Sequence, residues 1–240
     1  MTSSKSADEA NCLGGEKPRT SPVHTTQMSI PNSLLSRRLQ KGYLILVAAI
    51  VAYGTYLSMT SEGYFDLSSL KYFTNQSNLF MAVGYIAIFL LINRSDKRLV
   101  LLRDYLSTTI LLAMIVTGLI YNLVLVPLNG NAPPFSDYTN FSTHLLAPVL
   151  AFVYFLFFNE RGGVRPSSIL IAKAYPVAYW VTFVMIGDQI DFYPYFFMDP
   201  NQVGWTMLFV WFVALLAIFV VIGLLLLAFD RASCLAKLRV

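Results

Sequence analysis

Charge is what this 240-residue chain has little of: 12% of its residues are Asp, Glu, Lys or Arg, against 56% hydrophobic. A water-soluble globule of ordinary composition cannot hide that much apolar surface, so the chain reads as an integral membrane protein. Histidine is scarcer still, with only His24 and His144, and there are two cysteines, Cys12 and Cys234, near opposite ends of the chain. Their placement suggests no disulfide framework. No His, Cys or carboxylate cluster has zinc-ligand spacing. A glycine-rich phosphate loop and a Gly-x-Ser-x-Gly elbow are both missing, so no metal or cofactor is expected. No internal repeat relates the two halves, which sets aside inverted symmetry of the transporter kind. The formal charge of +4 is spread over short clusters. It forms no basic patch of the kind nucleic acid requires, and no nucleic-acid partner is expected.

What the chain does have is six apolar segments, each near the twenty or so helical residues that a bilayer core takes. They run approximately from Gly42 to Met59, Phe73 to Ile92, Asp104 to Val126, Phe141 to Phe158, Ile169 to Gly187 and Gly204 to Phe229. Strands of a membrane barrel would alternate apolar and polar residues over shorter stretches, so the expected class is all-α, with six transmembrane helices. Residues 1–36 are polar, rich in Ser, Thr, Pro and Gly, and read as a disordered cytoplasmic leader. They hold no removable signal peptide and no myristoylation signal, so the first span is expected to target the chain. Residues 37–229 form the transmembrane domain and 230–240 a cytoplasmic tail.

Orientation follows from Lys and Arg at the segment ends. Arg37, Arg38 and Lys41 precede the first segment, Arg94, Lys97, Arg98 and Arg103 lie between the second and third, Arg161, Arg165 and Lys173 between the fourth and fifth, and Arg231, Lys237 and Arg239 close the chain. The opposite loops carry Lys71 together with Glu62, Asp66, Asp137, Asp188, Asp191 and Asp199. Both termini are therefore expected on the cytoplasmic side.

With that topology, four polar stretches meet at the outer end of the bundle: YFTNQSNLF from Tyr72, TGLIYN from Thr117, THLLAP from Thr143, and GDQIDFYPYFFMDP from Gly187. Thr74, Ser77 and Asn78 stand at i, i+3 and i+4 and share a helix face, as do Thr117 and Tyr121. Taken singly, such groups commonly just tie helices together. His144 is different, because an ionisable residue inside a span is costly and usually functional. Desolvation disfavours its charged form, and a neutral imidazole with one accepting nitrogen suits a general base. Hydroxyls at the same depth are Thr74, Ser77, Thr143 and Tyr121, and the residues alone do not choose between Thr74 and Ser77 as a nucleophile. The amides of Asn75, Asn78 and Asn122 are candidate oxyanion donors. Asp188 is placed to orient His144, and the aromatic run from Phe192 to Phe197 suits an interfacial lid.

In these motifs, together with GLIYNLVL, THLLAPVLAFVYFLF, AYPVAYW and FYPYFFMDP in that order, the chain resembles the androgen-inducible family of multispanning membrane proteins. The likeness runs from about Lys41 to Phe229 and is greatest to a bacterial-type branch. The resemblance implies a membrane-embedded hydrolase that uses a threonine nucleophile and a histidine, and that in animal members cleaves fatty acid esters of hydroxy fatty acids. The family threonine falls at Thr74 and the family histidine at His144. Relatives often have Gly and Trp ahead of Tyr-Pro in the exit motif, where this chain has Asp191 and Phe192.

The resulting expectation is an outer-leaflet cavity between the second, third, fourth and fifth segments, with the sixth facing lipid. A lipid or fatty acyl ester is attacked there by Thr74, with His144 as base, Asn78 and Asn122 as oxyanion donors, and Ser77 and Tyr121 in support. The alternatives are a non-catalytic lipid or small-molecule binding or transport protein with the same polar pocket, and a structural partner in a larger membrane complex.

Overall fold

Six helices, each long and apolar enough to cross a membrane, make up most of the residues that the computed structural model describes, 34–60 and 63–237. No strand occurs among those residues. The helices are α1 (Leu34–Ser58), α2 (Phe73–Leu91), α3 (Lys97–Asn129), α4 (Tyr138–Phe157), α5 (Pro166–Ile190) and α6 (Pro200–Lys237). The expected leader falls almost wholly outside the described residues, as do Cys12, His24, Glu62 and Arg239.

Helix starts follow local chemistry. The Asp96 carboxylate accepts from the Arg98 and Leu99 amides at 2.9 and 3.3 Å, filling donors that have no partner inside α3. Asp137 does the same for α4, accepting from the Asn140 amide at 2.8 Å. Pro166 and Pro200 open α5 and α6, where a missing N–H costs nothing. Gly204 has φ +75° and ψ 155°, a conformation that a side chain resists, and it bends the first turn of α6 away from the span.

The helices pack as two regions, and α3, α5 and α6 contribute to both. In the first, Leu44, Val47 and Val51 of α1 meet Met81, Tyr85 and Ile88 of α2, Ile110 to Met114 of α3, and Ala147, Ala151 and Phe155 of α4. In the second, Tyr121 and Leu125 at the end of α3 meet Tyr179, Trp180 and Phe183 of α5, Phe197 and Met198 of a short 3₁₀ turn, and Leu208 of α6. One face of the sixth segment, with Trp205 and Phe209, is exposed. Its other face is corrected: Phe212, Leu215, Leu216 and Phe219 wall a cavity. The helix also runs past Phe229 to Lys237, and Asp230 is buried, accepting from the Val164 amide at 2.9 Å.

The end of the bundle away from the polar motifs is tied by charge. Arg103 Nη2 lies 3.3 Å from Asp104 and 2.9 Å from Glu160, and Gln40 donates to the Tyr154 hydroxyl at 3.0 Å. Arg103 and Asp104 are buried and offset each other's charge, while Glu160 joins them from the exposed side.

Candidate functional site

Two prolines shape the site. An α-helical carbonyl accepts from the N–H four residues on, and a proline there has none to give. Pro148 therefore leaves the His144 carbonyl without its helical donor. Around it the chain opens into a π-helical turn, Ser142–Leu146, in which the Ala147 amide reaches back to the Ser142 carbonyl, so the Thr143 carbonyl loses its partner as well. A second π turn, Tyr121–Leu125, precedes Pro127 on α3. Such turns widen a helix locally and often mark functional sites.

The two freed carbonyls are met by the two asparagines. Asn78 Nδ2 donates to the Thr143 carbonyl at 3.2 Å and to its own Thr74 carbonyl at 2.9 Å. Asn122 Nδ2 donates to the His144 carbonyl at 3.1 Å and to Gly118 at 2.7 Å. Each amide has two N–H groups, and both are spent. In this arrangement neither Asn78 nor Asn122 has a donor left for an oxyanion. Asn75 is tied to the loop before α2 and to α1: one amide N–H donates to the Ser69 carbonyl at 2.9 Å, and its oxygen accepts from Ser58.

His144 is held on three sides. Its Nδ1 lies 3.1 Å from Thr143 Oγ1, and that hydroxyl gives its single proton to the Thr139 carbonyl at 2.7 Å. The imidazole is therefore the donor at Nδ1, which leaves Nε2 as the accepting nitrogen. The ring also meets the Asn140 backbone, and the nearby charge that reaches it is Asp137. Asp188 does not orient it: that carboxylate accepts instead from Tyr193 and Asn201, at 3.0 and 3.1 Å. On its flat face, the imidazole stacks on Tyr121 with ring centroids 3.4 Å apart and planes 15° from parallel.

Thr74 sits on a cavity of about 100 Å³ at the seam between the two packed regions. Its walls come from the start of α2, the end of α3, the middle of α5, residues 195–198 and α6. The expected contribution of α4 is corrected, because no residue of α4 lines it. Tyr121, which lines the cavity with Thr74, is also the ring stacked on His144.

The buried hydroxyls separate clearly. Thr55, Ser77, Thr108, Ser142, Thr143 and Ser168 bond back to carbonyls of their own turns. Ser77 also meets Thr117 Oγ1 at 3.0 Å, and Ser107 donates to Asn159 at 2.8 Å. Thr74 forms no such bond and faces the Tyr195 phenol. Its nearest carbonyls are already taken, that of Leu70 by Gln76 and that of Lys71 by Tyr179. No hydrogen bond joins Thr74 to His144 among the described residues; the two are linked through Asn78 and the Thr143 carbonyl.

Sequence reasoning missed Tyr195 and the part played by Pro148. The second was readable, since THLLAP places a proline four residues after the histidine. Tyr195 carried no more signal than its neighbours in an aromatic run.

No protein-family model matches the chain, nor does any curated protein or solved structure.

Proposed function

We propose that this protein is an intramembrane hydrolase of lipid-like acyl esters, with Thr74 as nucleophile and His144 as base, set beneath the headgroups of the outer leaflet. One observation carries the reading: among the buried Ser and Thr hydroxyls described, Thr74 alone is bonded to no carbonyl and to no Ser, Thr or Asn side chain, meeting the Tyr195 phenol instead, and it opens on a mostly apolar cavity. A hydroxyl that merely ties helices would be spent on a carbonyl, as its neighbours are.

The walls of Val116, Ile120, Leu215 and Phe219 suit an alkyl chain, and the ester then lies at Thr74. Thr74 Oγ bonds to the carbonyl carbon, its proton passes to His144 Nε2, and the departing alcohol takes that proton. Water, deprotonated by the same nitrogen, releases the acid from the acyl-threonine. Tyr121 stands between the cavity and the imidazole, so His144 serves the reaction when that ring turns out of its stack. The clusters at Arg94 to Arg103 and Arg161 to Lys173 lie at the other end of the helices, which supports cytoplasmic termini and an outward-facing site.

The second reading is a carrier of lipids or small apolar molecules. It is favoured by Tyr121, whose packing leaves the cavity wall free of any base. A fluorophosphonate probe and hydrolysis of p-nitrophenyl laurate decide between them. The hydrolase reading expects labelling and turnover that survive Ser77→Ala but vanish in Thr74→Ala, and turnover lost in His144→Ala with laurate still bound. Laurate binding without labelling or turnover by the folded wild type makes the protein a carrier.

A further inference from the structure

Attack on an ester drives charge onto its carbonyl oxygen, and in a cavity poor in water that charge needs a donor already in place. The expected donors are occupied, because Pro148 draws both asparagine amides to the α4 backbone. Three hydroxyls on the cavity wall are engaged too. Thr117 meets Ser77 at 3.0 Å, Tyr121 gives its proton to the Ala132 carbonyl at 2.7 Å, and Tyr179 gives its own to the Lys71 carbonyl at 2.6 Å. Trp180 packs its ring between Phe197 and Phe212, and its indole N–H is a second donor on the wall.

Beyond Thr74, one hydroxyl of the wall remains. Tyr195 lies on the cavity wall beside Thr74, and its hydroxyl touches the Thr74 side chain and Tyr179. Its ring stacks on Phe197 at 5.3 Å and lies 6.3 Å from Tyr72. Tyr72 also meets Phe192, over which Lys71 Nζ stands at 4.1 Å. The segment from 192 to 197 is thereby held by aromatic and cation–π contacts at both ends of its run, which fixes where the phenol points.

We infer that Tyr195 is a catalytic residue of the proposed hydrolase, its phenolic O–H donating to the ester carbonyl oxygen as Thr74 Oγ bonds to the carbonyl carbon. The carbonyl π pair moves onto that oxygen and is met by the Tyr195 proton, which stays on the phenol. When the pair returns, the bond to the alcohol oxygen breaks, and the alcohol leaves with the proton that Thr74 gave to His144. No oxidant, reductant or metal enters the balance. Burial pushes the Tyr195 phenol up to about 12, so it holds its proton across the physiological range.

The inference rests on the hydrolase reading, and the test separates the two. The full chain is purified into lipid nanodiscs and assayed with p-nitrophenyl laurate and a fluorophosphonate probe. Tyr195→Phe is expected to lower kcat about 100-fold or more, as removal of an oxyanion donor does, and to slow labelling in parallel, with KM and laurate affinity little changed. If kcat stays within about twofold of wild type while Thr74→Ala abolishes turnover, Tyr195 has no such role and the hydrolase stands. Wild-type protein that neither turns over nor labels, or turnover that survives Thr74→Ala, overturns both. Should Tyr195→Phe fail to fold, 3-fluorotyrosine at position 195 keeps the ring and makes the phenol more acidic. The alkaline limb of kcat then moves to lower pH, and an unmoved limb overturns the inference.

Discussion

The Asn78 amide of α2 donates to the Thr143 carbonyl of α4 at 3.2 Å, and that carbonyl is open because Pro148 has no N–H to offer. A proline on one helix has thus fixed the duty of an asparagine on another. The same proline engages Asn122 through the His144 carbonyl, at 3.1 Å. The turn that carries the histidine is held by side chains from both neighbours instead of by its own ladder.

If that account is right, Asn78→Ala costs about 1–3 kcal/mol, because it strands a buried carbonyl. In a Pro148→Ala background the backbone N–H returns and the same substitution costs less. A double-mutant cycle by chemical unfolding measures the difference, and a coupling of about 1 kcal/mol is expected. Simple additivity would place the Thr143 carbonyl outside this account.

Tyr121 screens His144 from the cavity through a stack with centroids 3.4 Å apart. Tyr121→Ala should expose the imidazole, raising its rate of modification by diethylpyrocarbonate several-fold, whereas Tyr121→Phe keeps the ring and the protection. Phe at this position also removes the bond to the Ala132 carbonyl, at a cost of about 1 kcal/mol. Mass spectrometry of the modified histidine is the measurement.

Gly118 lets α3 and α4 meet at their π turns. A Cβ there would lie 3.0 Å from Pro148 Cγ and 3.3 Å from the His144 carbonyl oxygen. Gly118→Ala is expected to destabilise by about 1–3 kcal/mol through overpacking. Gly42→Ala, whose Cβ meets nothing within 4 Å, is the control and should be neutral or stabilising. Thermal melts in detergent compare them.

Asp137 caps α4 and is stabilised as a carboxylate chiefly by the Asn140 N–H, which holds its pKa below the usual range. A lowered folded pKa means stability that is present above the ordinary carboxylate value and lost as pH falls through the folded one. Asp137→Ala should cost about 1 kcal/mol at neutral pH, like other lost caps. The gap to wild type should narrow below roughly pH 4. Melting temperatures across that range test it, and a constant gap would assign the loss to something other than the charge.

The six helices were legible because bilayer thickness sets a length that composition either meets or does not. Proline and the capping acids Asp96 and Asp137 could be read as local punctuation for the same reason. The polar end of the bundle was legible too, since four stretches distant in the chain had to arrive at one depth. The face of α6 was not: Met207 to Phe229 is apolar all round, so nothing in its pattern says which side meets lipid and which closes a cavity. The roles of Asn78 and Asn122 were misread because an amide on a polar face looks equally suited to a substrate or to a carbonyl on the next helix. Only the position of the neighbouring backbone separates those uses.

By itself the sequence determined the solvent, the number of spans and the residue types gathered at one end, because each follows from local composition and from the 1.5 Å rise of a helix. Only the tertiary structure decided that Thr74 meets Tyr195 instead of a carbonyl, that Tyr121 lines the cavity with Thr74 while stacking on His144, and that Tyr195 arrives from a distant loop. Those outcomes depend on how helix faces turn toward one another, and hydrogen bonds a few ångströms long are made or missed by rotations to which hydropathy is blind.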